Sequence, residues 1–140
     1  MLHAADGPRA EQVYREAYVA ASSVPDHAQA FYNGINYAFM SLALREHAEE
    51  VKAIAADVVK HTFIANTDRW ARVTQGEAYL YLGQPAAAIL AYCEALKSDW
   101  KPRELDSIKR QAVWAARLMN DPGSEKELEA LFDGGGLCLR

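Results

Sequence analysis

The sequence predicts an all-α fold of about seven helices in antiparallel pairs, and three observations predict it. Proline and glycine cut the chain into pieces of helical length, apolar residues recur at helical spacing within those pieces, and β-branched runs of alternating polarity are absent. Each element follows from local signals. The Gly7-Pro8 pair opens a first helix over about Pro8–Ala21, ended by Ser22, Ser23, Val24 and Pro25. Asp26 is the candidate N-cap of a second helix reaching Leu44, with Phe31, Ile35, Ala38 and Leu42 on one face. A third, over about Glu46–Ile64, carries Val51, Ile54, Ala55, Val58 and Val59. The Ala65-Asn66-Thr67 break follows, and Thr67 or Asp68 caps a fourth helix running to Leu82. Gly83 then occupies the left-handed position after a helix and Pro85 the first position of the next, which predicts a tight hairpin. The fifth helix ends near Ser98. Pro102 opens the sixth, which runs to about Asn120. Asp121-Pro122-Gly123 reads as a turn, and Ser124 to Glu127 as the capping box of a last short helix.

Composition bounds what such a protein does. The chain has 140 residues, 51% of them hydrophobic and 24% charged, enough apolar material for one core. A single domain over residues 1–133 is expected, with a flexible tail over 134–140 that contains Gly134, Gly135 and Gly136. The net charge of −4 is spread along the chain rather than collected in blocks. That argues against binding nucleic acid or an anionic membrane, both of which need a basic face. The longest apolar runs fall far short of the roughly 20 residues of a membrane span. Cys93 in a helix and Cys138 in the tail make neither a disulfide framework nor a metal-ligand pair, so a reducing cytoplasm is the expected compartment.

Glycine and alanine stand at regular intervals where larger core residues would be expected, and this points to a repeat. Gly76, Tyr79, Gly83, Ala88, Tyr92 and Ala95 fall in the order and spacing of the tetratricopeptide helix-turn-helix unit. Two helices approach closely only where small residues meet, so Gly76 and Ala88 are the expected contact points, with Tyr79 and Tyr92 filling the space beside them. Gly34 and Tyr37 repeat the spacing of Gly76 and Tyr79 and mark a first copy. A third copy begins in the sixth helix. The tryptophan usual in this repeat would fall at Arg72, whereas this chain has Trp70. The predicted fold is therefore a tetratricopeptide-like set of antiparallel helical hairpins in a short right-handed solenoid.

Three segments, YNGINYA (Tyr32–Ala38), RWARVTQGEAYLYLGQ (Arg69–Gln84) and SIKRQ (Ser107–Gln111), resemble a particular family. They are similar to the tetratricopeptide-like TRAFs-binding domain in the central regulatory region of apoptosis signal-regulating kinases. Bacterial relatives of that domain form the TPR-S sensor module of signalling and conflict systems. The resemblance covers roughly Asp26–Met119. It implies a non-enzymatic regulatory or scaffold module that binds a protein or peptide partner, a linked effector among them, through a concave groove. A sensor of a small nucleotide-derived ligand in the same groove is the alternative, and a structural homo-oligomerisation domain a second one.

In a tetratricopeptide unit the first helix of each pair lines the groove. Counted from Gly76, the lining positions are Trp70, Val73, Thr74, Glu77, Leu80 and Tyr81, and one repeat later Glu104, Ser107, Ile108, Gln111 and Trp114. Arg103, Arg110 and Arg117 recur beside them. The candidate partner- or ligand-binding residues are Trp70, Thr74, Glu77, Tyr81, Ser107, Arg110, Gln111 and Trp114, together with Asn36, whose polar side chain on an apolar helix reads either as a buried strut or as a ligand contact. The tryptophans would stack a planar group while Arg110 and Gln111 hold an acidic one. Arg110 is further expected to ion-pair with Glu77 when no ligand is bound. Each of these side chains also has a plainer reading, as packing between repeats or as a solvated face. For catalysis the signals are weak: His3, His27, His47 and His61 lie outside metal-ligand motifs, no phosphate-binding glycine loop exists, and no cofactor is implied.

Overall fold

A computed structural model describes residues 7–23, 26–45, 48–134 and 138. Among them are seven helices and no strand: α1 (Gly7–Ser23), α2 (His27–Arg45), α3 (Ala48–Ile64), α4 (Ala71–Tyr81), α5 (Pro85–Ala95), α6 (Pro102–Leu118) and α7 (Pro122–Phe132). Among the described residues no helix is long and apolar enough to cross a membrane. The all-helical hairpin fold expected from the glycine and proline punctuation is present. The starts of α4 and α7 differ from the expectation, and in both cases an aspartate explains the shift. At α4, Asp68 Oδ1 accepts from the Trp70 amide at 2.9 Å, so Asp68 orders the turn ahead of the helix rather than its first residue. At α7, Asp121 is the N-cap and accepts from the Ser124 amide at 3.1 Å, so Pro122 and Gly123 are the first helical residues and not a separate turn. Glu46 and His47, the expected start of α3, lie outside the described residues.

Gly83 closes α4 as expected. Its φ of +72° lets the Gln84 amide reach back to the Tyr79 carbonyl at 2.9 Å, and Pro85 then opens α5. The hairpin brings α5 against Gly76 near the expected Ala88, and the atoms nearest to the glycine are those of Tyr92. A methyl placed on Gly76 would lie 2.6 Å from the buried Tyr92 ring, one turn beyond the alanine. Gly34 serves α2 in the same way: a methyl placed on it would lie 2.6 Å from Val58 of α3 and 3.0 Å from the Tyr18 ring of α1.

Helices adjacent in sequence pack from α1 to α5, and α6 packs on α7. The alternate helices α2, α4 and α6 also meet one another. Their shared interface, to which the buried Phe31, Ile35 and Ile108 contribute, positions the site described next.

The two cysteines overturn an expectation. Cys93 of α5 is paired with Cys138 in a disulfide, with Cα atoms 5.2 Å apart. The spacing of 45 residues concealed this, because the seventh helix folds the chain back along α5. The cysteine argument for a reducing compartment falls with it. The tail expected to be flexible is pinned at Cys138, and its residues 135–137, 139 and 140 lie outside those described.

Candidate functional site

Where α2, α4 and α6 meet, they enclose a groove of about 440 Å³. The way each helix enters it follows one register. From α2 come Ala28, Phe31, Tyr32 and Ile35, which stand six, three and two residues before Gly34 and one after it; from α4 and its N-cap residue come Trp70, Val73, Thr74 and Glu77, at the same offsets from Gly76. Helix α6 adds Ser107, Ile108 and Gln111, and Gln29, Asn36 and Asp68 complete the lining. The glycine turns one face of each helix to its hairpin partner, and the residues around it look into the groove.

Six of the nine residues expected at the site line this groove: Asn36, Trp70, Thr74, Glu77, Ser107 and Gln111. Trp70 is 38% exposed and packs edge-on against Trp100, their ring centroids 4.8 Å apart. Arg69 lies 4.2 Å from the centroid of Trp100 and bonds the Asp99 carbonyl and Glu104, which fixes this corner. Asn36 is half-buried. Its amide donates to the Tyr32 carbonyl one turn back at 2.8 Å, so it is tied to its own helix while still facing the groove.

Tyr81 is not a lining residue. It is fully buried behind Glu77, and its hydroxyl donates to Glu77 Oε2 at 2.5 Å. The Gln111 amide donates to the same oxygen from α6 at 3.3 Å. Oε1 accepts no hydrogen bond from the described residues. Glu77 is only 6% exposed, and burial pushes its carboxyl up to about 7 in spite of the two donors, which act in the opposite direction. Burial also raises the hydroxyls of Tyr81 and Tyr92 well above the ordinary tyrosine range.

Arg110 and Trp114 stand elsewhere, which corrects the expected ion pair with Glu77. Arg110 bonds Asp106 one turn back on its own helix, with 73% of its side chain exposed. Together with Trp114 and Arg117 it lines a second groove, of about 600 Å³, along α6 and Glu129 of α7. Trp114 packs edge-on against Phe39 of α2, the centroids 5.2 Å apart. The reason lies in the register. Arg110 occupies in α6 the place that Gly76 holds in α4, and that place faces away from the groove. The three basic residues along this second groove are all paired: Arg110 with Asp106, Lys109 with Asp133 and Arg117 with Glu125.

Apart from Asn36, sequence reasoning missed the α2 wall, and it missed Asp68. The signal was present, since the offsets applied to Gly76 select Ala28, Phe31, Tyr32 and Ile35 when applied to Gly34. A second polar chain gave no motif at all. Tyr18 of α1 donates to Asp57, which also contacts His61 Nε2 at 3.2 Å, and His61 Nδ1 lies 2.8 Å from His27 Nδ1. No family model, curated protein or solved structure matches the chain.

Proposed function

We propose that the chain is a tetratricopeptide-like, non-enzymatic interaction module that receives a peptide segment of a protein partner in the groove between α2, α4 and α6. The observation that supports this reading most is the common register in which three alternate helices present side chains to one channel, as successive units of a helical repeat do. The chemistry of the lining agrees. Tyr32 and Trp70 offer aromatic surface at the rim, 53% and 38% exposed, while Thr74, Glu77 and Gln111 set polar groups below it. The resemblance to the TRAFs-binding domain points to the same class of activity. A nucleotide-derived ligand is less well served. None of the lining residues is basic, so the groove offers a phosphate no charged donor, and Asp68 at its edge would repel one.

The reading is tested by selecting random heptapeptides on the immobilised protein, then titrating the synthesised winners against tryptophan emission beside a panel of nucleotides. Peptides are expected to shift the emission saturably, and Ser107→Trp, which fills the groove mouth with a bulky ring at an exposed position, is expected to abolish the shift without lowering Tm. Nucleotides that shift both emission and Tm while no peptide does would replace this reading with the sensor. Self-association that Ser107→Trp abolishes, with neither ligand class bound, would replace it with oligomerisation.

A further inference from the structure

Peptide binding in general does not require an acid on the floor of the groove, yet Glu77 is there, buried and with one oxygen open. Its Oε2 is filled by Tyr81 and Gln111, which hold the carboxyl in one orientation. Its Oε1 accepts from none of the described residues and is not fully buried, which leaves it open to the groove that Glu77 lines. The lining supplies no cation to answer it. Arg69, beside Trp70 in sequence, is taken up by the Trp100 ring, the Asp99 carbonyl and Glu104. Aromatic faces do stand at the rim, those of Trp70 and Tyr32.

The geometry points to a groove that takes an alkylammonium or guanidinium group, whose N–H donates to Glu77 Oε1 while its alkyl stem lies along Trp70 and Tyr32. The class rests on the peptide-groove reading, in which the group is a lysine or arginine side chain; a free polyamine presents the same chemistry. An open carboxylate oxygen calls for a donor, a buried one favours a charged donor that compensates its desolvation, and aromatic faces add cation–π attraction. A proton balance follows. Burial keeps Glu77 largely protonated below neutrality, so an arriving cation displaces the carboxyl proton to solvent and leaves an ion pair. The other titratable groups around the carboxyl are Tyr81 on its own helix, Tyr92 on α5, Tyr32 on α2 and Asp68 at the groove edge. Helix α6 brings only the neutral Ser107, Ile108 and Gln111 to the groove.

The test uses the full chain carrying ¹³C-labelled glutamate, with the Glu77 carboxyl resonance assigned by comparison with Glu77→Gln. Butylammonium and butylguanidinium are the probes, with butyramide and butyrate as the neutral and anionic controls. Either cation is expected to quench tryptophan emission saturably and to lower the Glu77 midpoint by about one pH unit, which by linkage is about a tenfold preference of the cation for the ionised carboxyl. Binding of the cations is expected to weaken by about that factor in Glu77→Gln. The inference is overturned if butyramide or butyrate binds as tightly as the cations, or if the midpoint stays where it was. Two further ligands separate the sources: a capped pentapeptide with lysine between leucines, compared with its norleucine analogue, and spermidine. A lysine peptide that outbinds both supports the inference and the peptide reading together. Spermidine binding at least as tightly as the lysine peptide sustains the inference and defeats the peptide reading. Equal binding of the lysine and norleucine peptides does the reverse.

Discussion

The α1–α3 and α4–α6 regions are built from the same parts and put them to different use. Each sets a glycine beneath a tyrosine ring, Gly34 under Tyr18 and Gly76 under Tyr92. Each also aims a tyrosine hydroxyl at a carboxylate, Tyr18 at Asp57 and Tyr81 at Glu77. Asp57 keeps 41% of its side chain in solvent and is further satisfied by His61. Glu77 is enclosed, with one oxygen spoken for twice and the other open. Both carboxyls receive a tyrosine donor, so the donor does not account for the difference. Burial does, and it is burial that turns an ordinary acid into one that titrates near neutrality and waits for a partner.

The largest expected effect would break that comparison directly. Glu77 holds its proton to about 7 when folded against an ordinary 4.5. Below the lower value both folded and unfolded chains are protonated, and the contribution to stability is fully present. Between the two values the unfolded chain ionises first, so stability falls, and above about 7 the loss is constant. At about 1.4 kcal/mol per pH unit the loss comes to about 3 kcal/mol. Urea unfolding of wild type and Glu77→Gln at pH 4 and pH 8 should show the variant gaining on the wild type by that amount. Parallel behaviour would mean that the carboxyl is solvated and the two regions are alike.

The glycine crossings come next. A methyl on Gly76 would press on the buried Tyr92 ring, and Gly76→Ala is expected to cost about 2 kcal/mol by calorimetry. The larger Gly76→Leu should cost more. An unchanged Tm in either variant would show that α4 and α5 do not cross at Tyr92.

The tyrosines sharpen the contrast further. Tyr81→Phe removes a donor from a buried acid and is expected to cost about 2 kcal/mol, whereas Tyr18→Phe, beside a half-exposed aspartate with a second partner, should cost about 1 kcal/mol. Equal losses would mean that burial does not separate the two sites.

The reason one region was more legible than the other is physical. Gly83, Pro85 and Pro102 act through their own backbone angles, and apolar spacing reports which face is buried, so all seven helices could be read from the chain. Glu77, Thr74 and Gln111 could be read as groove residues because a helical register carries a side chain's direction from one residue to the next. What depends on a neighbour distant in sequence left no trace. Tyr18 meets Asp57 and His27 meets His61 only once α1, α2 and α3 have packed, and Cys93 meets Cys138 only after α7 turns back. Arg110 shows the converse error. Its place next to Gln111 in sequence, on a stripe beside the lining positions, suggests a shared site, but a residue one position from Gln111 points about 100° away from it.

Arg110 therefore carries the smallest expected effect and bears most directly on where the site lies. Its guanidinium pairs with Asp106 one turn back, and both side chains are mostly in solvent, where a single i, i+4 pair gains little against the entropy of holding two long side chains. Arg110→Ala is expected to change stability by less than about 0.5 kcal/mol. It should also leave binding in the α2–α4–α6 groove untouched, because the residue lines the other channel with Trp114 and Arg117. Titration of the same peptide against wild type, Arg110→Ala and Trp70→Ala checks both statements. The expected order is equal affinity for the first two and a clear loss for the third. Were Arg110→Ala to weaken binding as Trp70→Ala does, the partner would have to span both grooves, and the acid on the floor would no longer define the site by itself.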